Sequence, residues 1–173
     1  MNTMAAVRLE KVTLNIGTGI AGEKLENAKT LLEKVSGSKA VYTKAKDRNP
    51  EFKVRKGDNI GAKVTLRGKK AGEVLKRAFE TVEGAIMVSS FDKYGNVSFG
   101  IKEYIDFPGM KYDPKIGMMG FDVCLTLRKP GTRISKRRIA RRKLPKNQKV
   151  TTDEAKEFIK NAYGVKIEEP STE

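Results

Sequence analysis

The sequence contains no histidine and no tryptophan, and it has a single cysteine, Cys124, among its 173 residues. Without histidine the chain cannot build a histidine general base, a histidine-dependent triad or the common histidine-containing zinc sites. A lone cysteine forms no disulfide within the chain and fits a reducing cytosol better than an oxidising compartment. A small strand residue is therefore a better interpretation of Cys124 than a nucleophile. We expect neither a metal site nor a cofactor.

Long apolar stretches are also missing. No run of roughly 18 apolar residues occurs, so we expect no transmembrane helix. Residues 1–8 lack the apolar core of a signal peptide, which favours a cytoplasmic protein. At 173 residues and 19.2 kDa the chain is long enough to bury a core. We predict one domain over residues 1–173.

Positive charge is what the sequence has in excess. The chain carries 36 Lys and Arg against 21 Asp and Glu, a net charge of +15. Between Arg128 and Lys149 there are 11 Lys or Arg residues and no acid, so most of the excess lies in this one stretch. Such a run favours a polyanionic partner, nucleic acid before membrane, because it lacks the apolar face of a membrane-surface helix. A solvated loop is the alternative.

We call residues 128–150 the basic segment. Because guanidinium groups grip phosphate in a bidentate way, its cations are predicted to contact a nucleic-acid backbone. The predicted contact residues are Arg133, Lys136, Arg137, Arg138, Arg141, Arg142 and Lys143.

A tetrapeptide, Lys-Val-Thr-Leu, occurs twice, at residues 11–14 and 63–66. A strand alternates its side chains between two faces, so each copy predicts a sheet with one apolar and one polar face. The predicted polar residues are Lys11, Thr13, Asn15, Lys63, Thr65 and Arg67. This face lacks an aromatic pair on which splayed bases could stack, so we expect folded RNA as its partner.

Hydrophobic periodicity predicts the order strand, helix, two strands, helix, two strands, helix. The predicted strands cover residues 11–16, 39–44, 63–67, 97–107 and 121–128, and the predicted helices cover 23–35, 69–83 and 152–163. Thr151 and Glu154 form a capping-box pattern, with Ala155, Phe158, Ile159 and Ala162 facing inward and a frayed tail over residues 168–173. Half-polar strands predict an α+β fold, an open, mostly antiparallel sheet with its helices on one face.

Residues 17–22 match the dinucleotide-binding pattern G-x-G-x-x-G between a strand and a helix. Against an enzyme, the preceding strand is half polar, whereas dinucleotide-binding sheets are covered on both faces. The next strand also ends on Lys44, where an acid should hold the ribose. A tight turn is the favoured interpretation.

Several short segments follow one another between residues 8 and 163. They are Lys11-Val12-Thr13-Leu14-Asn15-Ile16-Gly17, Ser36-Gly37, Thr43-Lys44-Ala45-Lys46, Phe52-Lys53-Val54-Arg55, Gly61-Ala62-Lys63-Val64-Thr65-Leu66-Arg67-Gly68, Gly95-Asn96, Phe99-Gly100-Ile101-Lys102-Glu103 and Tyr112-Asp113-Pro114. Together they resemble the universal large-subunit ribosomal protein five family, which holds 5S rRNA in the central protuberance. A start almost at the first strand, and the entry to the basic segment through residues 128–131, resemble its archaeal or eukaryotic branch. We expect an archaeal member.

The resemblance implies a structural, non-enzymatic protein of the large ribosomal subunit. It implies 5S rRNA binding through the polar face, by Lys11, Thr13, Asn15, Lys63, Thr65 and Arg67. Ser38 stands where the family has a glutamine, with a shorter side chain, and completes this set.

Two loops gain roles from the same resemblance. The loop over residues 46–56 resembles one that reaches toward peptidyl-site tRNA, which implies backbone contacts from Lys46, Arg48, Lys53 and Arg55. The loop with Tyr112, Asp113 and Lys115 resembles the segment that forms an intersubunit bridge to a protein of the small-subunit head. The expected partners are therefore 5S rRNA, large-subunit rRNA, peptidyl-site tRNA, that head protein and other proteins of the central protuberance.

Overall fold

The computed structural model describes residues 3–20 and 22–168. Its strands are β1 (Arg8–Gly17), β2 (Val41–Lys44), β3 (Asn59–Leu66), β4 (Ala85–Met87), β5 (Val97–Ile101), β6 (Phe121–Arg128) and β7 (Lys166–Glu168). Its α-helices are α1 (Glu23–Ser36), α2 (Gly68–Thr81), α3 (Arg133–Lys136) and α4 (Thr152–Tyr163). Short 3₁₀ turns cover Val88–Ser90, Tyr104–Asp106 and Lys146–Gln148.

Five of the strands form one sheet in the order β2-β3-β1-β6-β5, and every neighbouring pair is antiparallel. The strand β1 lies at the centre, with Val12 opposite Leu66 on one side and Leu125 on the other. The predicted α+β fold with an open antiparallel sheet is confirmed.

The apolar side of the sheet forms the core. Val12 and Leu14 are fully buried, as the alternation of β1 predicts, and α1 and α2 cover this side by packing on β3 and β1. Leu32 of α1 and Leu75 of α2 are equally inaccessible. Each such side chain contributes about 1.5–3 kcal/mol of burial free energy, so the helices are held to one face and the other face stays open.

The ends of the helices follow their capping residues. The amide of Gly37, in the left-handed conformation at φ 59°, donates to the Glu33 carbonyl at 2.9 Å and ends α1. At the start of α4 the Glu154 amide donates to the Thr151 hydroxyl, and the Thr151 amide donates to the Glu154 carboxylate at 3.0 Å. The predicted capping box is thus confirmed.

The strand predicted over residues 97–107 is too long. It ends at Ile101, and Tyr104–Asp106 forms a 3₁₀ turn. Tyr104 and Phe107, three residues apart, are both buried, a spacing that a turn satisfies and a strand does not. The Tyr104 amide donates to the Met119 carbonyl at 3.1 Å, which holds the turn in place.

A second, two-stranded sheet was not predicted. β4 and β7 pair in parallel, with Ile86 opposite Ile167. The predicted inward position of Ala162 is wrong, since Ala162 is exposed near the end of α4 and the buried Val165 lies just beyond it. Of the tail predicted to fray, Glu168 belongs to β7, and residues 169–173 lie outside the described part of the chain.

Candidate nucleic-acid interface

The polar face consists of rows of side chains that run across the strands. In one row Lys63, Asn15 and Asp122 stand on neighbouring strands, β3, β1 and β6. In the next row Thr65, Thr13 and Cys124 occupy the same strands. Directly opposite residues in a sheet have Cβ atoms about 4.5–5.5 Å apart, so one ligand can contact a whole row. The structure therefore brings together Lys11, Thr13, Asn15, Lys63 and Thr65, as the alternation predicts.

A groove lies at the β1-β6-β5 end of this face. Its volume is about 510 Å³, and it is lined by Thr13, Asn15, Ser98, Phe99, Gly100, Asp122 and Cys124. Burial, together with the negative charge of Asp122, raises the pKa of the Cys124 thiol. A thiol with a raised pKa is a poor nucleophile at neutral pH, so this position offers hydrogen-bonding groups and not a catalytic nucleophile.

Two predicted members of the set lie apart from these rows. Arg67 is the N-cap residue of α2, and its Nη1 atom is 3.7 Å from a carboxylate oxygen of Glu10. Ser38 lies in the turn between α1 and β2, where its amide donates to the Ser36 hydroxyl at 3.3 Å. Their RNA contacts stay predictions.

The loop over residues 45–58 joins β2 to β3 and carries its own internal hydrogen bonds. The amide of Ala45 donates to the Asp58 carbonyl at 2.8 Å, and Asn49 and Val54 exchange two backbone hydrogen bonds of 3.0 Å. Phe52, at the tip, is 68% exposed. The predicted cations of this loop, Lys46, Arg48, Lys53 and Arg55, are all exposed. The backbone is thus constrained while the side chains remain open to a partner.

The loop around residues 112–115 is anchored by one of its predicted contact residues. The Asp113 carboxylate lies 2.6 Å from Nζ of Lys34 on α1, and this hydrogen bond lowers the pKa of Asp113. The Asp113 amide also donates to the Tyr104 hydroxyl at 2.8 Å. Tyr112 and Lys115 are exposed. Asp113 therefore shapes the loop, and the side chains of Tyr112 and Lys115 are accessible to a partner.

Two ion pairs and the buried side chains of Thr132 and Val150 attach the basic segment to the domain. Nζ of Lys129 lies 2.6 Å from Oε1 of Glu154, and Lys136 of α3 forms an ion pair with the Glu10 carboxylate. The remaining predicted phosphate-binding side chains are exposed: Arg133, Arg137, Arg138, Arg141, Arg142 and Lys143. Beside them is a depression of about 560 Å³ lined by Ser135, Arg141, Arg142, Lys143, Leu144 and Lys149. These exposed cations form a surface suited to a phosphate backbone.

Glu10 is a residue that the sequence analysis missed. It is 8% exposed and lies where the register of β1 on β6 shifts between Leu9 and Lys11. Burial disfavours its carboxylate, but Lys136, Arg128 and Arg67 outweigh this effect and hold the pKa of Glu10 below its ordinary value. The sequence did contain a signal for this residue, because Glu10 is an acid at a position of β1 where alternation predicts an apolar side chain.

The glycine-rich turn does not form a phosphate cradle. The amides of Thr18 and Gly19 both donate to the Ile60 carbonyl, each at 3.0 Å, so they are not free to bind a pyrophosphate. β1 is also antiparallel to both neighbours, whereas a dinucleotide fold needs parallel ones. Ala21, within this motif, lies outside the described residues. Tight-turn geometry explains the glycines.

Comparison with known proteins gives the family. Residues 2–55 match ribosomal protein L5, and residues 59–159 match the C-terminus of the same ribosomal family. The chain belongs to the ribosomal protein L5 family. It is 52% identical over 170 residues to large ribosomal subunit protein uL5 of Sulfurisphaera tokodaii, which covers 98% of this chain and 96% of that protein. It is 49% identical over 168 residues to uL5 of Methanosphaera stadtmanae, which covers 97% and 100%.

These matches confirm an archaeal-type L5 protein that is a structural, non-enzymatic constituent of the large subunit of the cytoplasmic ribosome. Its partners accordingly include rRNA and other ribosomal proteins. Among the residues that the structure describes, none of the helices has the length and apolar character needed to span a membrane.

Proposed function

We propose that this L5 protein binds 5S rRNA in the central protuberance through the polar face of its sheet. The observation that carries the proposal is the unbroken pairing of Lys63 with Asn15 and of Thr65 with Thr13 on a face opposite the helices. Side chains on paired strands are held at fixed spacing, which suits base edges and 2′-hydroxyl groups of a folded RNA. Ser38 adds a contact from the turn before β2, and Arg67 adds one from the N-terminus of α2.

The basic segment adds phosphate contacts with large-subunit rRNA in this proposal. Its exposed arginines form charge-assisted hydrogen bonds with phosphate oxygens and carry no sequence information themselves. Lys136 joins them only where a phosphate competes with Glu10 for its amino group.

The two loops supply the remaining contacts. The loop over residues 45–58 approaches peptidyl-site tRNA with Lys46, Arg48, Lys53 and Arg55, which are exposed on a hydrogen-bonded backbone. The loop with Tyr112, Asp113 and Lys115 meets a small-subunit head protein. The anchoring of this loop through Asp113 supports a preformed contact surface.

Replacing Asn15 and Thr65 by alanine tests the main proposal. We expect 5S rRNA binding to weaken by roughly 1–3 kcal/mol for each well-formed hydrogen-bonding interaction removed, with no change in the slope of log K against log salt. Calorimetric or filter-binding titrations over a range of salt concentrations measure both quantities.

The matched control replaces Asn161 and Thr30, exposed polar residues on α4 and α1, by alanine. It should bind 5S rRNA like the parent. Parent-like binding by the Asn15 and Thr65 variant would refute recognition through the polar face.

A further inference from the structure

Asp122 is an acid on a face that the proposed function assigns to RNA. It stands on β6 directly beside Asn15, in the same row as Lys63. The carboxylate is exposed, and within residues 3–20 and 22–168 it forms no ion pair and accepts no hydrogen bond. A free negative charge here repels phosphate, so it weakens RNA binding unless it makes a favourable contact.

The space beside this carboxylate is open because the residue opposite it on β5 is Gly100. A Cβ atom at Gly100 would lie 3.6 Å from Oδ1 of Asp122, in ordinary contact, so the backbone tolerates a side chain there. Elsewhere in the chain a Cβ atom on Gly61 or Gly120 would come within 2.6 Å of a backbone oxygen. Packing therefore explains the glycine at those two positions, whereas at Gly100 the missing side chain leaves a groove.

The chemistry of the groove selects a hydrogen-bond donor. An ionised carboxylate only accepts hydrogen bonds, whereas the Asn15 amide beside it can donate or accept. RNA presents phosphate and carbonyl acceptors in abundance, but its donors are the 2′-hydroxyl groups and the N–H groups of bases. In the shallow minor groove of an RNA helix, the base donor is the guanine 2-amino group.

We propose, on the basis of the proposed function, that Asp122 reads a base amino group of 5S rRNA in this groove, with guanine as the preferred base. Asp122 would then act as a specificity residue. Asp122 weakens binding of any RNA that places a phosphate in the groove. It strengthens binding of an RNA that places a base amino group there.

The variant Asp122→Asn tests whether the Asp122 carboxylate strengthens or weakens binding of 5S rRNA. We expect binding of a 5S rRNA transcript to weaken roughly 5- to 20-fold. Binding of an unrelated folded RNA that is not a proposed partner, such as a riboswitch aptamer transcript, should tighten by about twofold at most, since one repulsive charge is gone. If Asp122 merely repels phosphate, both RNAs bind more tightly, and the proposal is overturned. Unchanged binding of 5S rRNA overturns it as well.

Two further measurements locate the contact. The variant Gly100→Ala fills the groove without strain and should also weaken 5S rRNA binding, whereas Glu73→Gln on the exposed side of α2 should not. Cys124, the only thiol of the chain, lines the groove, so saturating 5S rRNA should slow its reaction with a small maleimide several-fold. Undiminished thiol reactivity in the complex would place the RNA elsewhere and reject the proposal.

The same experiments separate this inference from the function on which it rests. A parent protein that shows no preference for 5S rRNA over the unrelated RNA refutes both. A parent that prefers 5S rRNA, and loses the preference with the Asn15 and Thr65 variant but keeps it with Asp122→Asn, refutes only the role of Asp122.

Discussion

The polar sheet face and the basic segment differ in how their side chains are held. On the sheet, Asn15 and Thr65 project from paired strands whose backbones are fixed on both sides. After Arg128, the last residue of β6, the basic segment lies outside the large sheet, and its regular structure is limited to the four-residue helix α3 and a 3₁₀ turn. The first surface mixes amide, hydroxyl, ammonium and carboxylate groups, whereas the second has 11 cations and no acid.

This difference separates two tasks of an RNA-binding protein. A fixed set of mixed polar groups distinguishes one folded RNA from another, because each group demands a matching donor or acceptor. A dense set of cations attracts any phosphate backbone by releasing its counterions, and this attraction falls steeply with salt. We therefore expect the sheet to set specificity and the basic segment to set the strength and salt dependence of binding.

The largest expected effect comes from removing charge in the basic segment. Replacing Arg137, Arg138, Arg141 and Arg142 by glutamine should lower the magnitude of the salt slope by about 3 to 4 if each contacts one phosphate of a duplex. Binding of cognate and unrelated RNA at low salt should fall together. The thermal unfolding midpoint should stay the same, because these side chains are exposed.

The control for this experiment removes four positive charges from the exposed sides of helices, at Lys24, Lys69, Lys76 and Lys160. A control variant that lowers the salt slope as much as the arginine variant would show that total charge decides the attraction. The proposal that the basic segment, and not the rest of the protein, sets the salt dependence of binding would then be wrong.

The next largest effect concerns the attachment of the basic segment. Glu10→Gln removes the charge that holds Lys136 and should destabilise the protein by about 1.5–3 kcal/mol, the range for a hydrogen bond to a charged group. The segment should then be cleaved faster by trypsin within residues 133–143. Chemical denaturation and limited proteolysis measure the two effects, with Glu157→Gln on α4 as the control. A segment cleaved at the parent rate would show that Glu10 does not order it.

The smallest effect is a loss of stability in acid. In the folded protein, burial disfavours ionisation of Glu10 and Glu154, but neighbouring cations outweigh it and hold both pKa values below the ordinary one. The unfolded chain therefore binds protons more readily, so this stabilisation is complete at neutral pH. It is lost as the pH falls below about 4.3 and through the lowered folded-state values.

Urea denaturation at pH 7, 5, 4 and 3 should show this decline. A variant with both Glu10→Gln and Glu154→Gln should start from a lower stability at pH 7 and lose less of it in acid. An equal decline in parent and variant would assign the acid sensitivity to other carboxylates, such as Asp113 beside Lys34.

Local patterns predicted much of the fold. The alternation of Val12, Leu14 and Ile16 with polar residues indicated the two faces of β1, because burial on one side of a sheet acts on every second residue. Thr151 and Glu154 indicated the start of α4, because a capping box closes within four residues. Such features depend on neighbours in the chain and can therefore be predicted from a single sequence.

Features that depend on distant partners could not be predicted in this way. The strands β4 and β7 have three residues each, too few for a visible period, and they pair across a long separation in the chain. The burial of Glu10 is explained by its ion pair with Lys136, which is distant in the sequence. In the candidate interface, alternation indicated the polar side chains of β1 and β3. Only the register of β6 and β5 placed Asp122 beside Asn15 and Gly100 beside Asp122.

The central position of β1 has a consequence for synthesis of the chain. β1 is translated first, yet one of its two edges stays unpaired until β6, residues 121–128, has left the ribosome that makes it. An open edge of a central apolar strand favours pairing with other chains. We therefore expect fragments that stop before residue 121 to aggregate. The basic segment begins at the last residue of β6. Its cations, which attract RNA most strongly, are therefore synthesised only after the five strands of the large sheet.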